Sequence, residues 1–348
     1  MIGTLSRYLL RFVAPRFILV SVGVTALALL LDTANNGDQL WDDGGLLALG
    51  RYALLRAPSI FTSLSVFSAL IAILITLTEL VRRSELVALM AAGWSQRNLL
   101  AAFAPAMTLM AVAHYVVSDF ALPSATQGLR DWGFEEELDR AGDSLWLRTG
   151  ENVFRIGGVD THGEMSDVSV FHLSEAGVLD RRIDAESGRY EDGAWQLQNQ
   201  SATGAEGADI AAPQTIPLPL SPVRLRRLAS DPRSLSLASL NDLVAAETFG
   251  ARPPHVYRLY RQRKASQIFS ILIMVCLAVP LVQRFQRQDA TAQILASGIA
   301  LGFVYLALDS FFVALGEAGI LPIVMAAWGA TGLFALVAGA MMLNQESL

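Results

Sequence analysis

Charged side chains lying inside or beside long apolar runs are where chemistry would sit in this sequence, because each costs ~3 kcal/mol in a bilayer unless it is paired or wetted. Glu79 stands three and four residues before Arg82 and Arg83, the spacing of a local helical ion pair. Asp119 and His114 are five residues apart, so on a helix they point in poorly matched directions for acid–base work. Asp309, in YLALDSFFVAL, has no basic residue nearby in sequence. It either caps a local bend through Ser310 or faces a cavity or a neighbouring subunit. On the same run Gly298 and Gly302 form a GxxxG pattern, which permits the close approach of another helix.

Energy-coupling and catalytic motifs are missing. The only lysine, Lys264, lies between Arg263 and Ala265, so no Walker A loop exists in the chain. The four histidines, His114, His162, His172 and His255, show no metal-ligand spacing, and neither HExxH nor GxSxG occurs. The one cysteine, Cys276, sits in an apolar run and excludes an intrachain disulfide. An enzyme acting on lipid would therefore have only Asp119 with His114 to work with.

One stretch remains, Arg82 to Asn98, RRSELVALMAAGWSQRN, too polar at its ends to span a bilayer and too apolar in its middle for a solvated loop. Ser84 is expected to cap a helix here and Glu85 to face the positive end of its dipole. Leu86, Leu89, Met90 and Trp94 recur at spacings of three, four and four and predict one apolar face. Such a helix either lies on lipid or docks into a soluble partner.

The elements that must position these residues follow from composition. Of 348 residues 53% are hydrophobic and 17% charged, an integral-membrane profile, and the net charge of −6 gives no footprint for nucleic acid. Six runs reach the roughly 20 apolar residues needed to cross a bilayer: about Phe12–Leu31, Ser59–Leu80, Leu99–Leu122, Ser266–Val282, Ala290–Leu315 and Leu321–Leu343. The basic start of the chain lacks an A-x-A cleavage site, so its first run is read as a retained helix. Arg7, Arg11 and Arg16, then Arg82, Arg83 and Arg97, then Arg284 and Arg287 fall on one side of these runs. The other side carries Arg51 and Arg56 among Asp32, Asp38, Asp42 and Asp43. The positive-inside rule then puts both termini and the Arg82–Asn98 stretch in the cytoplasm. The cluster Arg258, Arg261, Arg263 and Lys264 sits close to the fourth run on the outer side, where it would meet anionic headgroups or a negatively charged substrate.

The chain thus divides into residues 1–122, a middle domain over 123–264, and 265–348. In the middle domain DSLWLRTG, ENVFRIGGV, SDVSVFHLSE, GVLDRRIDA and AWQLQNQ alternate apolar and polar residues between glycine-bearing turns such as Glu191-Asp192-Gly193, predicting a β sandwich or roll. Ser201–Pro222 reads as a long loop. Ser236–Phe249 reads as an amphipathic helix with Leu237, Leu240, Leu243 and Val244 on one face.

RYLLR before the first run, YALLRAPSIF entering the second, RRSELVALMAAGWSQ, SLWLRTGENVFRIGGV, SLASLNDLV and GFVYLALDSFFVALGEAGILP occur in the order of a known family. The chain resembles the permeases of the bacterial lipopolysaccharide export machine, LptF and LptG, over essentially its whole length. LWLRTGENVFRI and SLASLNDLV look more like the G-type.

The resemblance implies an α + β membrane protein: six transmembrane helices in two groups of three, with an inserted periplasmic β-jellyroll-like domain. It implies a Gram-negative inner-membrane location and no cofactor on this chain. The partners it implies are a paralogous LptF-like permease, an LptB-like cytoplasmic ABC ATPase dimer using ATP and Mg, a single-span LptC-like protein and a periplasmic LptA-like bridge. Lipopolysaccharide would be the cargo. Ser84, Glu85, Leu86, Leu89, Met90, Gly93 and Trp94 match the ATPase-coupling helix, with Glu85 at its acidic position. The first and fifth runs match lateral gates, which makes Asp309, Gly298 and Gly302 gate or cavity candidates. A G-type member can carry a lysine near the outer end of the first run, but here that region reads TALALLLD. Arg51, Arg56 and Arg130 are the substitute candidates for lipid-phosphate contacts. The alternatives are an envelope scaffold without transport, a membrane-embedded lipid enzyme, and a permease for another lipid or a lipoprotein.

Overall fold

The computed structural model describes residues 2–35, 40–41, 45–132, 144–149, 151–159, 164–174, 178–191, 194–204, 209–211, 213, 215–216, 218, 220–222, 225, 228, 230–245, 252–283 and 291–346. Arg284, Arg287, His162, Asp38, Asp42, Asp43, the Asp192-Gly193 turn and residues 246–249 lie outside them. The chain forms two compact units, one of residues 1–126 with 261–348, the other of residues 127–260.

The first unit is helical. Its elements are α1 (Ile2–Asn35), α2 (Gly45–Arg82), the short α3 (Glu85–Ala91), α4 (Gln96–Asp131), α6 (Pro254–Gln283), α7 (Thr291–Glu317) and α8 (Ile323–Glu346), with α5 (Leu237–Ala245) belonging to the other unit. Six of these helices are long and apolar enough to cross a membrane. All extend past the C-terminal ends of the apolar runs that announced them, and the first four also start before those runs, since helix propensity continues past the point where hydropathy falls. α6, for instance, opens at Pro254, where a missing N–H costs nothing, and carries Arg258, Arg261, Arg263 and Lys264 within its early turns.

α2 is the central helix. Every residue from Ser65 to Leu74 is buried, so it is apolar all round rather than on one stripe. α1 packs along α2 and α4, and α7 along α8 and α2. Gly298 and Gly302 explain the last contact. A Cβ at Gly298 would run into Leu74 Cδ1, and one at Gly302 would lie 2.5 Å from the Phe67 ring. The GxxxG face is thus used within the chain, against α2. By contrast α1 and α7 leave apolar faces uncovered, including Leu19, Leu27 and Leu30 on one and Phe303, Val304 and Phe311 on the other.

The second unit is built on one antiparallel sheet. Its strands are β1 (Leu145–Thr149), β2 (Asn152–Val159), β3 (Met165–Leu173), β4 (Leu179–Glu191), β5 (Ala194–Gln198), β6 (Ser201–Gly204), β7 (Asp209–Ile210) and β8 (Thr215–Ile216). In the order β1-β2-β3-β4-β5-β8 the first five strands form a meander, β8 returns to pair β5, and β6 and β7 branch off β4, which supplies the strand order that alternation alone left open. The long β4 pairs β3 on one side, and on the other first β6 (Arg181–Asp184) and then β5 (Ser187–Glu191). β5 and β6 are therefore one strand interrupted at Asn199, whose φ is +52°. Phe154, Ile156, Val168, Val170, Ile183 and Trp195 share the buried face, as period-two alternation requires. Ser201–Pro222, expected as a loop, instead contributes β6, β7 and β8. Ala202 and Ile216 bury their side chains and the backbone completes the ladder, a tertiary effect that local propensity does not reveal. Ser236 Oγ accepts the Ser239 N–H at the start of α5, whose Leu240 and Leu243 are buried.

Candidate docking segment and intramembrane charge pairs

The Arg82–Asn98 stretch is a helix between two turns rather than one continuous helix. α2 ends at Arg82, and Ser84 turns left-handed (φ 56°, ψ 14°) without making the cap expected of it. α3 then covers Glu85–Ala91, Gly93 again takes a positive φ of 83°, and α4 starts at Gln96. Glycine supplies that second turn without a Cβ clash. The true cap is Ser95, whose hydroxyl accepts the Asn98 N–H at 3.3 Å.

These turns redistribute the apolar face. Leu86, 3% exposed, is part of the bundle core, and half-buried Trp94 packs against that core. The periodic reading failed because Gly93 breaks the helix before Trp94. The outward surface is instead Val87 (52% exposed) and Met90 (39%), with Ala88 and Ala91 exposed beside them. Leu89 is half-buried.

Glu85 does not stand alone. The Tyr8 hydroxyl of α1 reaches both of its carboxylate oxygens, at 2.7 and 3.0 Å. Tyr8 stacks obliquely on Phe12, with ring centroids 4.6 Å apart, and the Arg16 and Arg83 guanidinium groups lie over the Phe12 ring at 4.8 and 5.4 Å. Arg83 Nε donates to Glu79 at 2.8 Å, the local ion pair that the sequence spacing predicts. That hydrogen bond holds the Arg83 pKa above its ordinary value, so it stays a fixed cation. At the other end of the segment Gln96 Nε2 donates to Gln283 Oε1 of α6 at 2.6 Å, and Gln283 in turn contacts Met90 Sδ.

At the opposite end of the bundle the isolated charges are paired. Asp309 of α7, expected to meet a bend, a cavity or a neighbouring subunit, is gripped bidentately by Arg263 of α6 at 2.5 and 3.0 Å. The two side chains are only 14% and 16% exposed. Lys264, the next residue, is buried and donates to Ser118 O of α4 at 2.5 Å, with Asp119 at 3.7 Å. Residues Val117–Ala121 form a π turn inside α4. The Ser118 carbonyl that Lys264 bonds lies within this π turn. Two of the four basic residues expected to meet headgroups or substrate are therefore neutralised inside the bundle, because each found an acidic residue at its own depth.

Asp119 and His114 take separate partners. His114 is completely buried, with Nδ1 2.6 Å from Ser65 Oγ of α2, so the one candidate acid–base pair is not a pair. Arg56 lies 3.3 Å from Asp32, which also accepts the Tyr52 hydroxyl, and Arg130 donates to Ser230. Arg51 is exposed on α2. Sequence reasoning missed Tyr8, Gln283 and the Lys264–Asp119 contact. A usable signal existed for the last, since opposite charges at matched depth in neighbouring spans should meet.

Six apolar helices, an inserted antiparallel sheet and a short amphipathic segment between the second and third spans define a multi-pass membrane protein. The chain matches the family model "Lipopolysaccharide export system permease LptF/LptG" over residues 7–344 and belongs to that family. It is 24% identical over 277 residues to the lipopolysaccharide export system permease protein LptG of Escherichia coli K12, covering 76% of this chain and 77% of that protein. It is 21% identical over 352 residues to LptG of Haemophilus influenzae, covering 95% and 94%.

Proposed function

We propose that this chain is a G-type permease subunit of an ABC transporter that lifts lipopolysaccharide out of the inner membrane, with a separate cytoplasmic ATPase supplying the energy. The exposed Val87, Ala88, Met90 and Ala91 surface of α3 carries the reading, because the other side of α3 is pinned to the bundle by Leu86 and Glu85. A face that is apolar, outward and mechanically fixed suits a partner that must push.

The links from α3 are short. Two residues separate it from α2 and four from α4. Closure of an ATP- and Mg-loaded ATPase dimer on α3 would move α2 and α4, and the tight Gly298 and Gly302 contact would pass the movement from α2 to α7. The uncovered faces of α1 and α7 suit a paralogous permease and the gates through which the lipid enters. Arginine distribution supports a periplasmic middle domain, which would hand the lipid toward a bridge protein, with a single-span LptC-like protein beside it. Arg51, Arg56 and Arg130 are the candidates for contact with lipid phosphate.

Purification in mild detergent, with identification of the copurifying ATPase and bound lipid, tests this reading. Glu85→Lys should lower ATPase retention and lipid release from proteoliposomes while leaving membrane insertion intact. Full association and full release in that variant would defeat the docking role.

A further inference from the structure

We propose that Tyr8 is a positioning residue that makes the inner end of α1 and the docking helix α3 one mechanical unit. This inference rests on the docking role just proposed for α3. α3 is bounded by two left-handed residues, Ser84 (φ 56°) and Gly93 (φ 83°), so its backbone can turn at both ends without disturbing the helices beyond. Something besides the backbone must then fix its direction. Leu86 supplies apolar contact, which has no directional preference, whereas the Tyr8–Glu85 hydrogen bond is directional and joins residues 77 positions apart.

The geometry allows the bond to persist when a partner docks. A carboxylate offers about four lone-pair sites, and one hydroxyl proton occupies few of them. Glu85 is half-buried, so the remaining sites can accept from a cationic side chain of the ATPase while Tyr8 stays bonded. The competing cation nearest in sequence, Arg83, is already committed to Glu79 and the Phe12 ring. The Tyr8 ring itself is held by Phe12, so the hydroxyl is presented from a fixed position on α1. α1 carries one of the uncovered apolar faces, and through Tyr8 it would sense the docking helix directly rather than only through α2.

The test uses the assembled permease in nanodiscs with its copurified partners. Thr4→Cys and Ala92→Cys, both at exposed positions and neither in the Val87, Ala88, Met90 and Ala91 surface, carry spin labels in a Cys276→Ala background, and the label-to-label distance distribution is recorded. Tyr8→Phe, which keeps the ring and removes the hydroxyl, should broaden or shift that distribution. It should also lower lipid-stimulated ATP hydrolysis on the order of tenfold at an unchanged KM for ATP, the scale of losing a hydrogen bond to a charged group. In a Glu85→Ala background the same substitution should add nothing. An unchanged distance distribution overturns the hold, and a changed distribution with full hydrolysis overturns its role in coupling. If the wild-type permease retains no ATPase at all, the docking reading itself fails, while the distance measurement still decides whether Tyr8 orients α3.

Discussion

Two serines in the docking segment show how little a residue type says without its backbone. Ser84 has the sequence context of a cap yet sits at φ 56°, where its side chain bonds no helix N–H, while Ser95 caps the following helix. Ser84→Ala should therefore change stability little, and Ser84→Gly should be neutral or slightly favourable because glycine enters the left-handed region without strain. Ser95→Ala should cost about 1 kcal/mol. Thermal unfolding of the purified permease in one detergent measures all three, and a larger loss for Ser84→Ala than for Ser95→Ala would reverse the assignment. Glu79 with Arg83 was legible from spacing because both lie on one continuous turn. Glu85 with Tyr8 was not, because its partner is set by how α1 packs.

At the level of elements, hydropathy located all six spans and alternation located β1 to β5, since both signals are the direct imprint of what each face touches. β6 to β8 escaped because their strand character comes from pairing with β4, β5 and one another rather than from their own residues. The GxxxG pattern was legible as a close-approach surface but not its target. Gly302 and Gly298 should differ in tolerance. A methyl at Gly298 meets the flexible end of Leu74, which can swing away, whereas at Gly302 it meets the rigid Phe67 ring, itself packed on Phe303 at 5.3 Å. Gly302→Ala is expected to cost ~2 kcal/mol, with Gly298→Ala costing clearly less. Phe67→Leu should recover part of the Gly302→Ala loss. Equal unfolding temperatures for the two alanine variants would argue against α7 being seated on α2 in this way.

On the scale of the whole helical unit, the two ends of the bundle are fastened by different means. One end is held by the Tyr8–Glu85 and Gln96–Gln283 hydrogen bonds around the docking segment. The other is held by Arg263–Asp309 and by Lys264 with Ser118 and Asp119, which together tie α4, α6 and α7. Apolar packing cannot do this alone in lipid, since the hydrocarbon tails compete equally well for a leucine, and a charge pair has no such competitor. Breaking the pair from one side should then be worse than deleting it. Asp309→Ala leaves a part-buried guanidinium without its carboxylate and should lower stability by ~3 kcal/mol, whereas Asp309→Leu combined with Arg263→Met removes both desolvation costs and should recover most of the loss. Unfolding of the three proteins in identical nanodiscs reads the difference. If the double variant is as unstable as the single one, the pair contributes nothing beyond the volume it fills, and the fastening of α6 to α7 must lie in the Ser270, Tyr305 and Thr331 hydroxyl cluster. If the double variant is stable but slower in lipid release, the pair sets the orientation of α7 as well as its attachment, which is what a gate helix moved from the far end of the bundle would need.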